Sequence, residues 1–176
     1  MGVIGAIPIP VITEYMDNFL AGAKYVNPKV KGMKAYNGSL EDVASGKQTA
    51  LAMIDQGADI VAGLGNENIT GVILAAKERK VFAIGGVDDQ YKIAPDTVMV
   101  SAVTDFRVGI GNLIENIIKG KFEAKNYVMT LGKGVTLSPF HQFEGKVPKN
   151  VRDRLKEIER DIVAGKIKLV PQPKAP

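Results

Sequence analysis

The chain has 176 residues, of which 45% are hydrophobic and 24% are charged, with a formal net charge of +4. This length suits one α/β domain, and the absence of cysteine excludes disulfides, thiolate metal sites and a cysteine nucleophile. Basic and acidic residues are interleaved rather than clustered, so a nucleic-acid-binding face is not predicted. The N-terminal MGVIGAIPIP lacks the pattern of a secretion signal, and no apolar run is long enough to span a membrane.

The first predicted unit is a strand followed by an amphipathic helix. Residues 2–6 are an apolar run typical of a strand, and Pro8 and Pro10 stiffen the loop after it. A helix is predicted next, because apolar residues recur at three- and four-residue spacing and stop before Pro28. Its stripe consists of Val11, Ile12, Tyr15, Met16, Phe19, Leu20 and Ala23. Residues 30–36 predict the second strand.

Two further strand–helix units follow in the middle of the chain. Ser39 and Asp42 resemble a capping box, which predicts the start of a second helix. Gly57 is predicted to end this helix. Residues 58–64 predict the third strand and residues 81–84 the fourth. The second helix carries a stripe of Leu40, Val43, Ala44, Leu51 and Ile54, and the third carries Ile69, Val72, Ile73 and Ala76.

The last third of the chain begins with a strand at residues 97–103, which are rich in β-branched side chains. Thr104 can cap a fourth helix, which Gly120 ends, and whose apolar stripe consists of Phe106, Ile110, Leu113, Ile114 and Ile117. Residues 127–131 and 135–137 predict two short strands around a glycine turn. A last helix carries Val151, Leu155, Ile158 and Ile162, and a basic, proline-rich tail at 166–176 follows, predicted to be part strand and part disordered.

Because strands and helices alternate four times and the strands are apolar along their length, we predict an α/β fold. Right-handed crossovers then give a parallel, doubly wound sheet in a flavodoxin-like, three-layer arrangement. We assign residues 1–170 to a single α/β lobe and 171–176 to a flexible tail. Ligands of such sheets bind outside the carboxyl ends of the strands. The loops expected there comprise residues 6–8, 65–68, 86–89 and 104–105.

The sequence argues against several kinds of site. The segment GVIGAIPIP lacks the dinucleotide pattern G-x-G-x-x-G, and the chain contains no P-loop. His141 is the single histidine, which argues against histidine-based zinc sites and a serine triad, and we expect it to be an ordinary loop residue. Glu67, Asp88, Asp89 and Asp105 lack calcium-loop spacing, so no metal or cofactor is predicted. No nucleophile–base pair can be named, so an enzyme is not predicted.

What remains is a polar and acidic rim suited to sugar hydroxyls and to the N–H groups of a base. Its residues are Asn66, Glu67, Asn68, Asp88, Asp89 and Asp105. Four of them also have a structural reading that stays open at this point. Asn66 or Asn68 can cap the third helix, Asp88 can belong to a turn, and Asp105 can interact with the dipole of the fourth helix.

Four segments of the chain resemble the basic membrane protein family, whose members are substrate-binding proteins of ABC importers. They are NFLAGAKYVNP, ALAMIDQGADIVAGLGNENITGVILAAKERKVFAIGGVDDQ, APDTVMVSAVTD and GKGVTLSPF. Characterised members bind purine nucleosides or bases between two α/β lobes of the type I periplasmic-binding-protein fold. The resemblance implies that this chain corresponds to the second lobe only, and that one acid of the pair Asp88–Asp89 accepts hydrogen bonds from a nucleoside. Which of the two does so stays open, because GVDD departs from the family's GVDSDQ.

The resemblance implies a non-catalytic ligand-binding lobe whose partners are a purine nucleoside or base and, in the full-length context, an ABC permease. An isolated lobe is expected to bind its ligand weakly. In the parent family such proteins are extracytoplasmic, membrane-anchored lipoproteins. A helix like that at 105–120 would pack on the first lobe. Here it can fold back onto its own sheet in a monomer, or two copies can pair through this segment, and the homodimer is expected. The alternative function is a sensor or regulatory module that reports a small ligand to a partner protein.

Overall fold

The computed structural model describes residues 1–125 and 127–168 and contains a seven-stranded sheet. The strands are β1 (Gly2–Gly5), β2 (Met33–Tyr36), β3 (Ile60–Leu64), β4 (Phe82–Val87), β5 (Val98–Thr104), β6 (Thr130–Leu131) and β7 (Gly134–Leu137). The helices are α1 (Pro10–Val26), α2 (Val43–Asp55), α3 (Asn68–Arg79), α4 (Phe106–Ile118) and α5 (Lys149–Val163). Two short 3₁₀ turns span Gln90–Ile93 and His141–Phe143.

The sheet has the order β2-β1-β3-β4-β5-β7-β6. Strands β1 to β5 pair in parallel, with Gly2 of β1 opposite Met33 on one side and Val61 on the other. Strand β7 runs antiparallel to β5, with Val135 opposite Thr104. The predicted doubly wound parallel α/β sheet is therefore confirmed for β1 to β5, and the antiparallel strand β7 beside β5 was not predicted.

The core lies on both faces of the sheet because successive strand residues point to opposite sides. Val3 faces α1, where Ile12 and Met16 are buried. Its neighbour Ile4 faces the other layer, in a cluster built largely from α2 and α3. Both side chains are fully buried. The predicted stripe of α3 is buried as expected, whereas Val11 of the α1 stripe is 66% exposed. In α2 the buried residues are Gly46, Ala50 and Met53, and Ala44 of the predicted stripe is exposed.

Two helix starts differ from the prediction. Helix α2 begins at Val43, because the carboxylate of Asp42 accepts hydrogen bonds from the backbone N–H groups of Ala44 and Ser45. The hydroxyl of Ser39 instead binds the preceding turn, so Leu40 lies outside the helix. Helix α4 is likewise capped by Asp105, not by Thr104, which is the last residue of β5. In both cases a carboxylate next to the first turn takes the free N–H groups.

The part of the chain after β5 packs less tightly than the rest. Neither α4 nor α5 contains a buried residue, and the predicted strand at 127–131 is reduced to Thr130–Leu131. The tail prediction for 169–176 lies outside the described residues. Among the helices of the described ranges, none combines the length and apolar character needed to cross a membrane.

Candidate functional site

The carboxyl ends of β3, β4 and β5 meet at one edge of the sheet, where sequence reasoning places the ligand. Val87 at the end of β4 pairs with Val103 of β5. A Cβ built on Gly86 would lie 3.0 Å from the carbonyl oxygen of Gly63 in β3, so these strands approach closely near their ends. The loop after β4 (residues 86–90, the β4 loop) therefore lies between the loop after β3 and the start of α4.

The two adjacent acids of the β4 loop have different surroundings. Asp89 is half-buried, its Oδ1 accepts from the N–H of Tyr91 at 3.3 Å, and its Oδ2 lies 2.7 Å from Nε2 of His141. Asp88 is exposed, and its Oδ1 accepts from the N–H of Asp89 at 2.8 Å. Within the described ranges, no hydrogen bond or ion pair occupies Oδ2 of Asp88. The structure thus gives Asp89 a structural role and leaves a carboxylate oxygen of Asp88 open at the edge.

The backbone turns sharply just before Asp88. Val87 has a φ of 68°, in the left-handed region that β-branched residues rarely adopt. Such a conformation persists only when neighbouring contacts hold it. The side chain of Gln90 supplies one of them, since its Oε1 accepts from the N–H of Gly86 at 3.1 Å. The β4 loop is therefore held in one shape by contacts to its own backbone and to the segment around His141.

Asp105 lies at the same edge, but its carboxylate is already engaged. It accepts from the N–H of Arg107 at 3.0 Å and from Nε and Nη2 of the same side chain, each at 2.8 Å. The hydrogen bond to the Arg107 side chain, with its backbone bond and positive charge, holds the pKa of Asp105 below its usual range. The position thus serves as a helix cap and ion-pair partner, which agrees with its structural reading.

The three polar residues after β3 also differ in their exposure and hydrogen bonds. Asn66 is exposed and donates from Nδ2 to Oε1 of Glu41 at 2.7 Å, while Glu67 is exposed and forms no side-chain cap. Asn68 is fully buried and donates from Nδ2 to Oδ1 of Asn37 at 2.9 Å. Neither asparagine caps α3 by a side-chain hydrogen bond, so the capping alternative is wrong. Asn68 instead ties α3 to the loop after β2.

Sequence reasoning missed an aromatic group at this edge. A Cβ built on Gly86 would lie 3.8 Å from the hydroxyl of Tyr15, so this hydroxyl of α1 reaches the end of β4. Burial raises the pKa of Tyr15 to about 12, and the group is therefore a protonated donor at neutral pH. Its ring stacks on Phe19 with centroids 6.3 Å apart. The only sequence signal was its place on the apolar stripe of α1, where it read as core.

His141 departs from its prediction as an ordinary loop residue, because its ring bonds to Asp89 and stacks on Tyr91. No group of three or more potential metal-ligating side chains forms among the described residues. The described side chains at this edge offer hydrogen-bond donors and acceptors.

Comparison with known proteins assigns this chain to a family. The profile described as "ABC transporter substrate-binding protein PnrA-like" matches residues 1–168. The chain belongs to this family. The resemblance to basic membrane proteins expected from the sequence is thereby confirmed.

Two curated relatives illustrate the PnrA-like family. A purine-binding protein from Brucella abortus (strain 2308) is 28% identical over 167 residues, which cover 94% of this chain and 46% of the relative. Basic membrane protein D of Borreliella burgdorferi (strain JD1) is 37% identical over 105 residues, which cover 58% of this chain and 31% of the relative. The chain thus spans less than half the length of these PnrA-like relatives.

Solved structures agree on the fold of this PnrA-like chain. An ABC transporter solute-binding protein from Aeropyrum pernix K1 superimposes with a TM-score of 0.85 at 22% identity. The match covers 99% of this chain and 58% of that protein. The observed fold is therefore the predicted α/β lobe of a type I periplasmic binding protein.

Proposed function

We propose that this chain is a non-catalytic ligand-binding lobe that holds a purine nucleoside or base at the carboxyl edge of its sheet. The observation that carries the proposal is the exposed carboxylate of Asp88, with an oxygen left open beside the ends of three strands. Membership of a substrate-binding family and the purine-binding name of a relative support this class of ligand.

The chemistry of the edge suits a nucleoside. A free carboxylate oxygen accepts up to two hydrogen bonds, which suits ribose hydroxyls or the N–H groups of a purine. The protonated hydroxyl of Tyr15 can donate to a ligand acceptor, and Oδ1 of Asn66 adds an acceptor. Asp89 and Asp105 act indirectly, because His141 and Arg107 already engage their carboxylates. Glu67 would line the rim, and the buried Asn68 would support it from below through its hydrogen bond to Asn37.

A lobe that contacts its ligand from one side should bind it weakly. Each hydrogen bond that a facing lobe would add contributes about 0.5–1.5 kcal/mol, and several would be absent. We further propose that the facing surface is supplied in a larger assembly, and that the assembly delivers ligand to an ABC permease outside the cytoplasm. A second copy of the chain that docks through α4 would supply such a surface.

Titration of the ¹⁵N-labelled lobe with adenosine, guanosine and inosine tests the proposal, with cytidine as a pyrimidine control. We expect millimolar purine nucleoside to shift the amide signals of residues 65–68, 86–89 and 104–105 more than cytidine does. Calorimetry on the same samples should give dissociation constants weaker than micromolar. Purine shifts confined to other parts of the sheet would refute the site, and sub-micromolar binding by a monomer would refute the one-sided contact.

A further inference from the structure

We propose that His141 is a positioning residue that holds the β4 loop, and with it Asp88, in its ligand-binding shape by gripping Asp89. This inference rests on the proposed function of Asp88 for its biological meaning. Its structural part, the control of the loop by His141, can be tested without any ligand.

The contact between His141 and Asp89 has the geometry of a specific latch. Nε2 of His141 lies 2.7 Å from Oδ2 of Asp89, and the two side chains are only 28% and 33% exposed. The imidazole also stacks on the ring of Tyr91, with centroids 4.0 Å apart and planes 22° apart. The histidine therefore contacts Asp89 of the β4 loop through its ring edge and Tyr91 of the following 3₁₀ turn through its ring face.

The segment that carries His141 is fixed to the sheet independently of this contact. Phe143 is 4% exposed and packs edge-to-face on Phe82 of β4, with centroids 5.8 Å apart. On the other side, Ser138 donates its N–H to the carbonyl of Ser101 at 2.8 Å. Its hydroxyl accepts from the N–H of Ser101 at 2.9 Å. The histidine is thus presented by a segment anchored on both sides.

The same segment meets the β4 loop by a second route. Ser101 of β5 accepts on its hydroxyl from the N–H of Gln90 at 3.1 Å, and Gln90 in turn holds the N–H of Gly86. The loop is consequently tied at Gln90 through Ser101, and at Asp89 through His141. The backbone of His141 has a φ of 47°, a left-handed conformation that its anchors must maintain.

These ties reach Asp88 through Asp89. Oδ1 of Asp88 accepts from the N–H of Asp89, so the direction of the Asp88 carboxylate follows the orientation of the next residue. His141 belongs to neither of the two core clusters that hold the sheet and helices together. Loss of the latch should therefore loosen the loop while leaving the lobe folded.

Hydrogen–deuterium exchange of the full chain, resolved by amide in NMR spectra, tests the latch. In His141→Leu, we expect the N–H groups of Asp89 and Tyr91 to exchange at least tenfold faster than in the unmodified protein. The N–H of Gln90, which is held by Ser101, should change less, and the amides of β3 should not change. His141→Gln can present an Nε2 donor to Asp89 and should recover most of the protection.

Combining His141→Leu with Asp89→Asn should accelerate exchange little beyond His141→Leu alone, because both changes break one contact. Unchanged protection of Asp89 and Tyr91 in His141→Leu would overturn the latch. Equal acceleration in β3 would also overturn it, because that pattern means global destabilisation. If the latch behaves as expected but Asp88→Ala leaves adenosine binding intact, the proposed ligand role fails while the latch stands.

Discussion

Gly71 of α3 lies directly against the main-chain carbonyl of Val43 in α2, so close that a Cβ on this glycine would overlap the oxygen. Gly46 of α2 makes the reciprocal approach to the carbonyl of Asn68 at the start of α3. The two glycines allow the backbones of neighbouring helices to touch. The close approach also brings Asn68 to Asn37, on the ligand side of the lobe.

Substitution of these glycines should therefore separate α2 from α3. We expect Gly71→Ala and Gly46→Ala to lower the free energy of unfolding by about 1–3 kcal/mol, because the added methyl meets backbone atoms that cannot rotate away. Gly22→Ala in α1 is the matched control, since a Cβ there meets nothing within 4 Å. That change should stabilise the chain by about 0.5–1 kcal/mol. Urea unfolding followed by circular dichroism measures all three, and equal stability of Gly71→Ala and Gly22→Ala would contradict the packing argument.

The layers of the fold were predictable because their signals are local. The alternation of Val3 and Ile4 across β1, and the spacing of Ile12 and Met16 on α1, follow from strand and helix geometry alone. Helix starts were less predictable, since Thr104 and Asp105 are both good caps and only the folded chain decides between them. In the structure the cap is the carboxylate of Asp105, which also pairs with Arg107.

The meeting of the polar loops at one edge was predictable, but the contacts of their side chains were not. The rule that ligands bind at carboxyl ends of parallel strands located the β4 loop. It could not distinguish Asp88 from Asp89, because the difference comes from His141, 52 residues away in the sequence. Tyr15 was read as core for a similar reason, since an apolar stripe does not reveal that a hydroxyl emerges at the edge of the sheet.

Removal of the open carboxylate should weaken ligand binding specifically. We expect Asp88→Ala to lower the affinity for adenosine by more than tenfold, in the lobe or in an assembly that binds more tightly. This corresponds to a loss of about 1.4 kcal/mol or more. Asp59→Ala is the control, because that carboxylate is 84% exposed and lies before the start of β3, at the opposite edge. Calorimetry gives the affinities, and equal affinity in both variants would move the site elsewhere.

Asp105→Ala should lower the stability of the chain more than Asp88→Ala does. The carboxylate of Asp105 caps α4, so its loss should lower the melting temperature of the chain in addition to any effect on ligand. The melting temperature of Asp88→Ala should change little, because the Asp88 side chain supports no helix. A fall in the melting temperature of Asp88→Ala larger than that of Asp105→Ala would contradict this division of roles.

Tyr15 should make the stability of the lobe depend on pH in the alkaline range. Burial raises its folded pKa from 10.0 to about 12, so the folded state retains a proton that the unfolded state loses. The contribution is fully present below pH 10 and is lost as the pH rises through 12, with an upper limit of about 2.7 kcal/mol. Tyr15→Phe removes the ionisable group, and its stability should fall less between pH 10 and pH 12. Parallel curves for the two proteins in urea unfolding would show that the hydroxyl is not buried.

The apolar stripe of α4 should make this chain associate. Phe106, Ile110, Ile114 and Ile117 are each more than half exposed, which soluble monomers rarely tolerate in one continuous patch. We therefore expect light scattering during gel filtration to give twice the chain mass, and Ile114→Glu to return it to 18.9 kDa. Val26→Glu, at an apolar position that is even more exposed (68% against 51% for Ile114) and lies at the end of α1, should leave the dimer intact. A single 18.9 kDa species of the unmodified chain across a wide concentration range would rule out association through α4.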